Sequence, residues 1–195
     1  MITLRVIVSG LYGVFRLACL KRDGADYFDK TLQGFWRSFF AAVLTLPFYV
    51  ILIALHFGEP GLTQDTFRYV SVELISYVIA WVAFPLVILP FVHQFDREKN
   101  YLGFIVDYNW ASVLQSAFYF PIAMLVVTQT IPMPYGNMIS ILAVGLMMVY
   151  VWFVTRVVLD VPAGIAIVDF DIILSIVIRA TSESMMRVES VMLNV

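Results

Sequence analysis

The chain has 195 residues, 62% of them apolar and only 13% charged, with a net charge of −2 and a mean hydropathy of +0.90. Soluble domains run at about 45–50% apolar and roughly 25% charged, so a water-soluble globule could not cover this much apolar surface. The small net charge gives no electrostatic footprint for nucleic acid, and the single cysteine, Cys19, excludes an intramolecular disulfide and a cysteine-based metal cluster.

The natural solvent is therefore a bilayer. Each crossing takes about 20 mostly apolar residues over a hydrocarbon core of roughly 30 Å. The chain has room for four or five. The expected fold is all-α: a polytopic membrane helical bundle of four to five transmembrane helices with an N-terminal amphipathic helix. Residues 1–34 form a cytoplasmic interfacial segment, 35–180 the membrane domain and 181–195 a polar tail.

At the N-terminus, Arg16 breaks the apolar run that a signal peptide would need. Arg5, Ser9, Tyr12 and Arg16 recur at steps of four, three and four, which places them on one helix face. The expectation is an interfacial helix with its arginines toward lipid headgroups; a helix packed on the cytoplasmic side of the bundle is the alternative. Lys21–Gln33 reads as a charged, solvated loop.

Phe35–Phe57 is the first predicted span, with Phe35, Trp36 and Arg37 suited to the interface and Pro47 expected to kink its middle. Gly58–Thr66 is a turn. Arg68–Phe95 is the second span, expected to tilt or break at Pro85 and Pro90, with Glu73 one turn inside its start. Asp96–Asn109 is a predicted polar loop with room for a short helix. Trp110–Ile131 is the third span, kinked at Pro121, and the charge-free stretch Pro132–Asn137 leads into the fourth, Asn137–Thr155. Gly145 marks an expected close helix contact.

Lysine and arginine placement sets the orientation. Arg5, Arg16, Lys21, Arg22, Lys30, Arg37, Arg97, Lys99 and Arg156 fall on one side and only Arg68 in the intervening loops. This puts the N-terminus in the cytoplasm, in an inner or plasma membrane.

Val161–Ala180 either crosses as a fifth span or lies on the cytoplasmic face with Asp171, Ser175, Arg179 and Ser182 as a polar stripe; crossing is the preferred reading. It would put Asp169 and Asp171 near the bilayer centre, where an aspartate costs about 2.5–3.5 kcal/mol on insertion scales. Two residues apart on a helix, they point about 200° from each other, so at most one faces the bundle interior. That aspartate could serve a proton or cation relay with Arg156 or Glu73 as partner. Otherwise the acids reach water through a cavity or the interface, and Glu73 is an interfacial carboxylate. His56 and Glu59, and His93 and Asp96, stand at i, i+3 spacing but belong to opposite sides, so no metal site is expected. Glycine-rich phosphate loops, G-x-S-x-G, H-E-x-x-H and C-x-x-C are all missing from the sequence. No catalytic residue or cofactor is expected.

An aromatic-rich helix with Tyr150, Trp152 and Phe153 ends in Arg156, followed by Val161-Pro162, Ala163, Ala166 and a last apolar stretch. Before it come a polar N-terminal region, the span Phe35–Phe57 and a span carrying Tyr119-Phe120-Pro121. Over roughly residues 30–180 this order resembles the Yip-domain (Ypt/Rab-interacting protein) family of membrane proteins. The resemblance implies a five-helix bundle with a cytoplasmic N-terminus, and it brings no catalytic residues. Eukaryotic members take part in vesicle traffic and bind Rab-type GTPases.

The function expected is a non-enzymatic membrane scaffold or accessory subunit, with the lipid bilayer and other membrane proteins or a second copy of itself as partners. The alternative is a small transporter or channel component using Asp169 or Asp171.

Overall fold

Long apolar runs with few charges must satisfy their backbone internally, and the helix is the local way to do so. In the computed structural model, which describes residues 3–57 and 66–164, the chain is all-helical with no strand among the described residues. The helices are α1 (Leu4–Ala18), α2 (Leu32–Ser38), α3 (Phe40–Phe57), α4 (Thr66–Gln94), α5 (Glu98–Val127) and α6 (Met133–Val158), with a 3₁₀ turn at Arg22–Tyr27. Four segments are long and apolar enough to cross a membrane: Leu32–Leu55, Val70–Gln94, Glu98–Val127 and Pro134–Val158. The chain is an integral membrane protein. Asp169 and Asp171, most of Val161–Ala180, His56, Glu59 and Gly58–Asp65 lie outside what is described at side-chain level.

α5 is the axis. At about 1.5 Å per residue its 30 residues span roughly 45 Å, well beyond a 30 Å hydrocarbon core. The expected loop Asp96–Asn109 is corrected accordingly: only residues 95–97 separate α4 from α5, and Glu98–Asn109 forms the first turns of the helix. The reason is visible in Leu102-Gly103-Phe104-Ile105-Val106, an apolar run that needs burial and finds it. Phe104 and Ile105 are fully buried, as are Trp110 and Ala111 to within a few per cent. Further along, Phe118 and Leu125 are exposed. The core of the protein therefore sits at one end of α5, where α1, the 3₁₀ turn, α2 and the ends of α4 and α6 close around it.

That end also collects the basic residues of the N-terminal region, the α4–α5 connection and the α6 terminus. Arg97 pairs with Asp160 at 3.5 Å, and the Asn100 side chain donates to the Leu159 carbonyl at 3.1 Å. Lys21–Gln33 is not a simple solvated loop, because Gly24, Ala25 and Phe28 are buried in it.

α1 has three faces. Gly10, Gly13, Val14 and Leu17 are buried against the bundle. Arg5, Ser9, Tyr12 and Arg16 form the polar face expected from their spacing. Leu4, Val8, Leu11 and Phe15 form an apolar stripe that stays exposed. At about 100° per residue the three faces lie roughly 120° apart. Close approach to α5 depends on Gly10, where a Cβ would stand 2.5 Å from Cδ2 of Trp110.

The prolines Pro47, Pro85, Pro90 and Pro121 all lie inside continuous helices, so none breaks its span. The first span is interrupted elsewhere, at Phe39, between α2 and α3. Gly145 has open space where a Cβ would stand, so it is no close-contact position among the described residues. Four helices end on a residue other than glycine at positive φ: Leu20, Asp96, Gln129 and Asp160 (58°, 55°, 52° and 52°). After the first three, the next residue donates back across six residues, Lys21 to Arg16, Arg97 to Val92 and Thr130 to Leu125. This is the Schellman ending that usually employs glycine.

Candidate functional site

The buried end of α5 holds the chain's most unusual polar groups. Asn109 is buried and its Nδ2 donates to Ser38 Oγ at 2.8 Å; Ser38 in turn donates to the Phe35 carbonyl at 2.7 Å. This tie locks α2 to α5 inside the core. Tyr150 of α6 donates to the Val14 carbonyl of α1 at 3.3 Å. These bonds are what buried polar groups require.

Asp107 departs from that rule. It is fully buried, and neither carboxylate oxygen has a hydrogen-bond partner among the described residues. The charges whose fields reach it are Lys30 and Asp26, and its own field reaches Tyr150. Lys30 lays its stem along Gly103, one helical turn before Asp107: a methyl group there would meet Cγ and Cδ of Lys30 at 3.2 Å. No ion pair forms between Lys30 and Asp107. An ionised carboxylate left so is costly by several kcal/mol, so the position calls for a proton, a cation or a moving partner.

Farther along the spans, polar groups pair between α3 and α4. Thr45 Oγ1 and the Tyr77 hydroxyl are 2.6 Å apart, and Tyr77 also donates to the Ala42 carbonyl. The Tyr49 hydroxyl donates to Glu73 Oε2 at 2.5 Å. Glu73 is thus a half-buried carboxylate held by a neighbouring helix. Arg156 lies with its guanidinium 5.6 Å from the Trp152 ring centre, a cation–π distance. Glu73 opens α4 and Arg156 closes α6, so they stand at opposite ends of the bundle and no single relay uses both. His93 Nδ1 meets Glu98 Oε1 at 2.6 Å rather than Asp96. Among the described residues, no three His, Cys, Asp or Glu side chains are grouped to hold a metal.

On the surface of this end, Arg16 and Asp23 form a two-point pair, with Nε–Oδ1 at 3.0 Å and a second, shorter Nη2–Oδ2 contact. The Arg16 hydrogen bond holds the Asp23 carboxyl below its ordinary range, and Asp23 with Tyr12 raises Arg16 further. A cavity of about 160 Å³ lies between α1, α2 and α5, with Arg5, Asp29, Arg37 and Trp110 among its lining residues.

Sequence reasoning missed Asp107 by assigning it to a loop. The signal was present: apolar residues precede it without interruption from Phe104 and Trp110 follows it, so the carboxylate sits in a stretch that has to be buried. The comparisons with family models, with curated proteins and with solved structures returned no match.

Proposed function

We propose that the chain is a non-enzymatic integral membrane scaffold or accessory subunit, similar in plan to Yip-domain proteins, whose basic end lies in the cytoplasm as a packed platform on an inner or plasma membrane. The observation that carries this reading is where the polar bonds fall. Ser38, Asn109, Thr45, Tyr77, Tyr49 and Glu73 bond helix to helix, so the polar groups of the spans fasten the bundle instead of lining a path. α4 packs the most lightly of the spanning helices and leaves Val78, Ile79, Val82 and Leu86 bare. Such a face suits a neighbouring helix from another membrane protein or a second copy. The distribution of lysine and arginine supports the cytoplasmic side for the basic end.

The test is the size of the complex released from native membranes by a mild detergent. The wild-type chain runs well above its own 22.2 kDa after allowance for detergent, and Ile79→Trp on the bare face of α4 reduces it to the single chain. A wild type that runs alone contradicts the scaffold reading.

A second reading has one observation in its favour, the unpartnered Asp107. Here the chain is a small transporter or channel component with Asp107 as the proton- or cation-carrying group. Reconstituted in vesicles, Asp107→Asn then abolishes a proton or alkali-cation flux that the wild type supports. Equal fluxes in the two leave the scaffold reading alone.

A further inference from the structure

We propose that the cavity between α1, α2 and α5 is a binding site for an anionic phosphate ester, independent of whether the chain is a scaffold. It is lined by Arg5 from α1 and Arg37 from α2, together with Asp29, Ser9, Val106 and Trp110. What singles it out is the state of the two guanidinium groups. Neither donates a hydrogen bond to a protein atom among the described residues. Arg5 has no ion pair. Arg37 has only Asp29, at 3.9 Å, beyond hydrogen-bond distance, and its side chain is 26% exposed. Asp29 shares the cavity lining; its Oδ1 accepts from the Thr31 hydroxyl at 2.6 Å and from the Thr31 amide, and its Oδ2 is the atom nearest Arg37.

A guanidinium carries five N–H donors in a planar fork that matches a phosphate or carboxylate. Two such forks line one recess, Arg5 without an acceptor among the described residues and Arg37 with only the Asp29 carboxylate at 3.9 Å, so both have donors to offer an anion. Phosphate is favoured over a carboxylate because it presents acceptors to two forks at once. The apolar side of the recess, with Val6, Phe28 and the Trp110 ring, suits an ester substituent rather than a bare ion. A phospholipid headgroup and a soluble phosphate ester share the required chemistry.

The experiment uses the full chain purified in a nonionic detergent, with native mass spectrometry counting retained phosphatidic acid against phosphatidylcholine. One phosphatidic acid is expected to stay on the wild type. Retention falls about tenfold in Arg37→Gln and severalfold in Arg5→Gln, the range for losing a charge-assisted contact. Arg22→Gln, an exposed arginine outside the cavity, leaves it unchanged. Glycerol 3-phosphate is then added as competitor. Displacement of the lipid identifies the phosphate ester itself as sufficient, and no displacement identifies the lipid as the source; each supports the site. Equal retention of the two lipids by the wild type, or equal phosphatidic acid retention by the wild type and Arg5→Gln, overturns it. Arg5 is exposed and makes no hydrogen bond or ion pair among the described residues, so its variant keeps the fold and keeps the test decisive if Arg37→Gln fails to assemble.

Discussion

At the scale of single residues, two contacts decide how the N-terminal helix is held. Gly10 lets α1 touch the Trp110 ring, and a Cβ there would meet three ring atoms within 2.9 Å. The indole is buried, so Gly10→Ala overpacks the interface. It is expected to cost about 1–3 kcal/mol in detergent unfolding measurements. The second contact is Arg16–Asp23, which fastens α1 to the 3₁₀ turn. Because Arg16 depresses the Asp23 pKa, its contribution is complete above the unfolded value of about 3.9 and is lost as pH falls through the lower folded value. In a variant keeping Trp110 as its sole tryptophan, emission should stay constant from pH 7 to 5 and change only below about pH 4. Asp23→Asn should shift the neutral-pH spectrum and remove that acid step.

At the scale of elements, the glycine-free helix ends make the sharpest prediction. Gln129 sits at φ 52° after α5 with its amide bonded to the Val126 carbonyl at 3.0 Å. A non-glycine residue in this region is strained by about 1–3 kcal/mol. Gln129→Gly relieves that strain at the cost of a more flexible unfolded chain. The net expectation is a gain of up to about 1 kcal/mol in thermal unfolding. A loss would mean that the Gln129 side chain supplies a bond stronger than the strain.

These ends also explain what the sequence could and could not show. The four spans were legible because apolar length alone specifies them, and the polar face of α1 was legible because Arg5, Ser9, Tyr12 and Arg16 repeat at the helical period. The joins were not. Leu20, Asp96 and Gln129 carry no glycine signal, and Glu98, Lys99 and Asp107 made the start of α5 look like a loop. What covers that stretch is tertiary: α1, α2, α4 and α6 pack on the buried end of α5 that holds Phe104, Ile105 and Trp110. The apolar run Leu102–Val106 signals that the segment is buried, but not which elements cover it. The anion cavity was equally hidden, since Arg5 and Arg37 are 32 positions apart and meet only through packing.

At the scale of the molecule, α1 ties the description together. Its three faces suit three surroundings: Gly10, Gly13, Val14 and Leu17 are buried on the bundle, the exposed Leu4, Val8, Leu11 and Phe15 suit lipid, and Arg5, Ser9, Tyr12 and Arg16 suit water and headgroups. Under the proposed function, α1 packed on α5 lies in the membrane plane and makes the charged end of the protein a platform on the bilayer surface. The most direct test is a nitroxide scan along α1, with Cys19 replaced and single cysteines placed from Leu4 to Ala18 of the reconstituted full chain. The account predicts oxygen-dominated relaxation at Leu4, Val8, Leu11 and Phe15. Relaxation by a water-soluble nickel chelate should dominate at Arg5, Tyr12 and Arg16, and neither agent should reach Val14 and Leu17. If Val8, Leu11 and Phe15 respond to the nickel chelate as Tyr12 does, the helix stands in water and the membrane platform is contradicted.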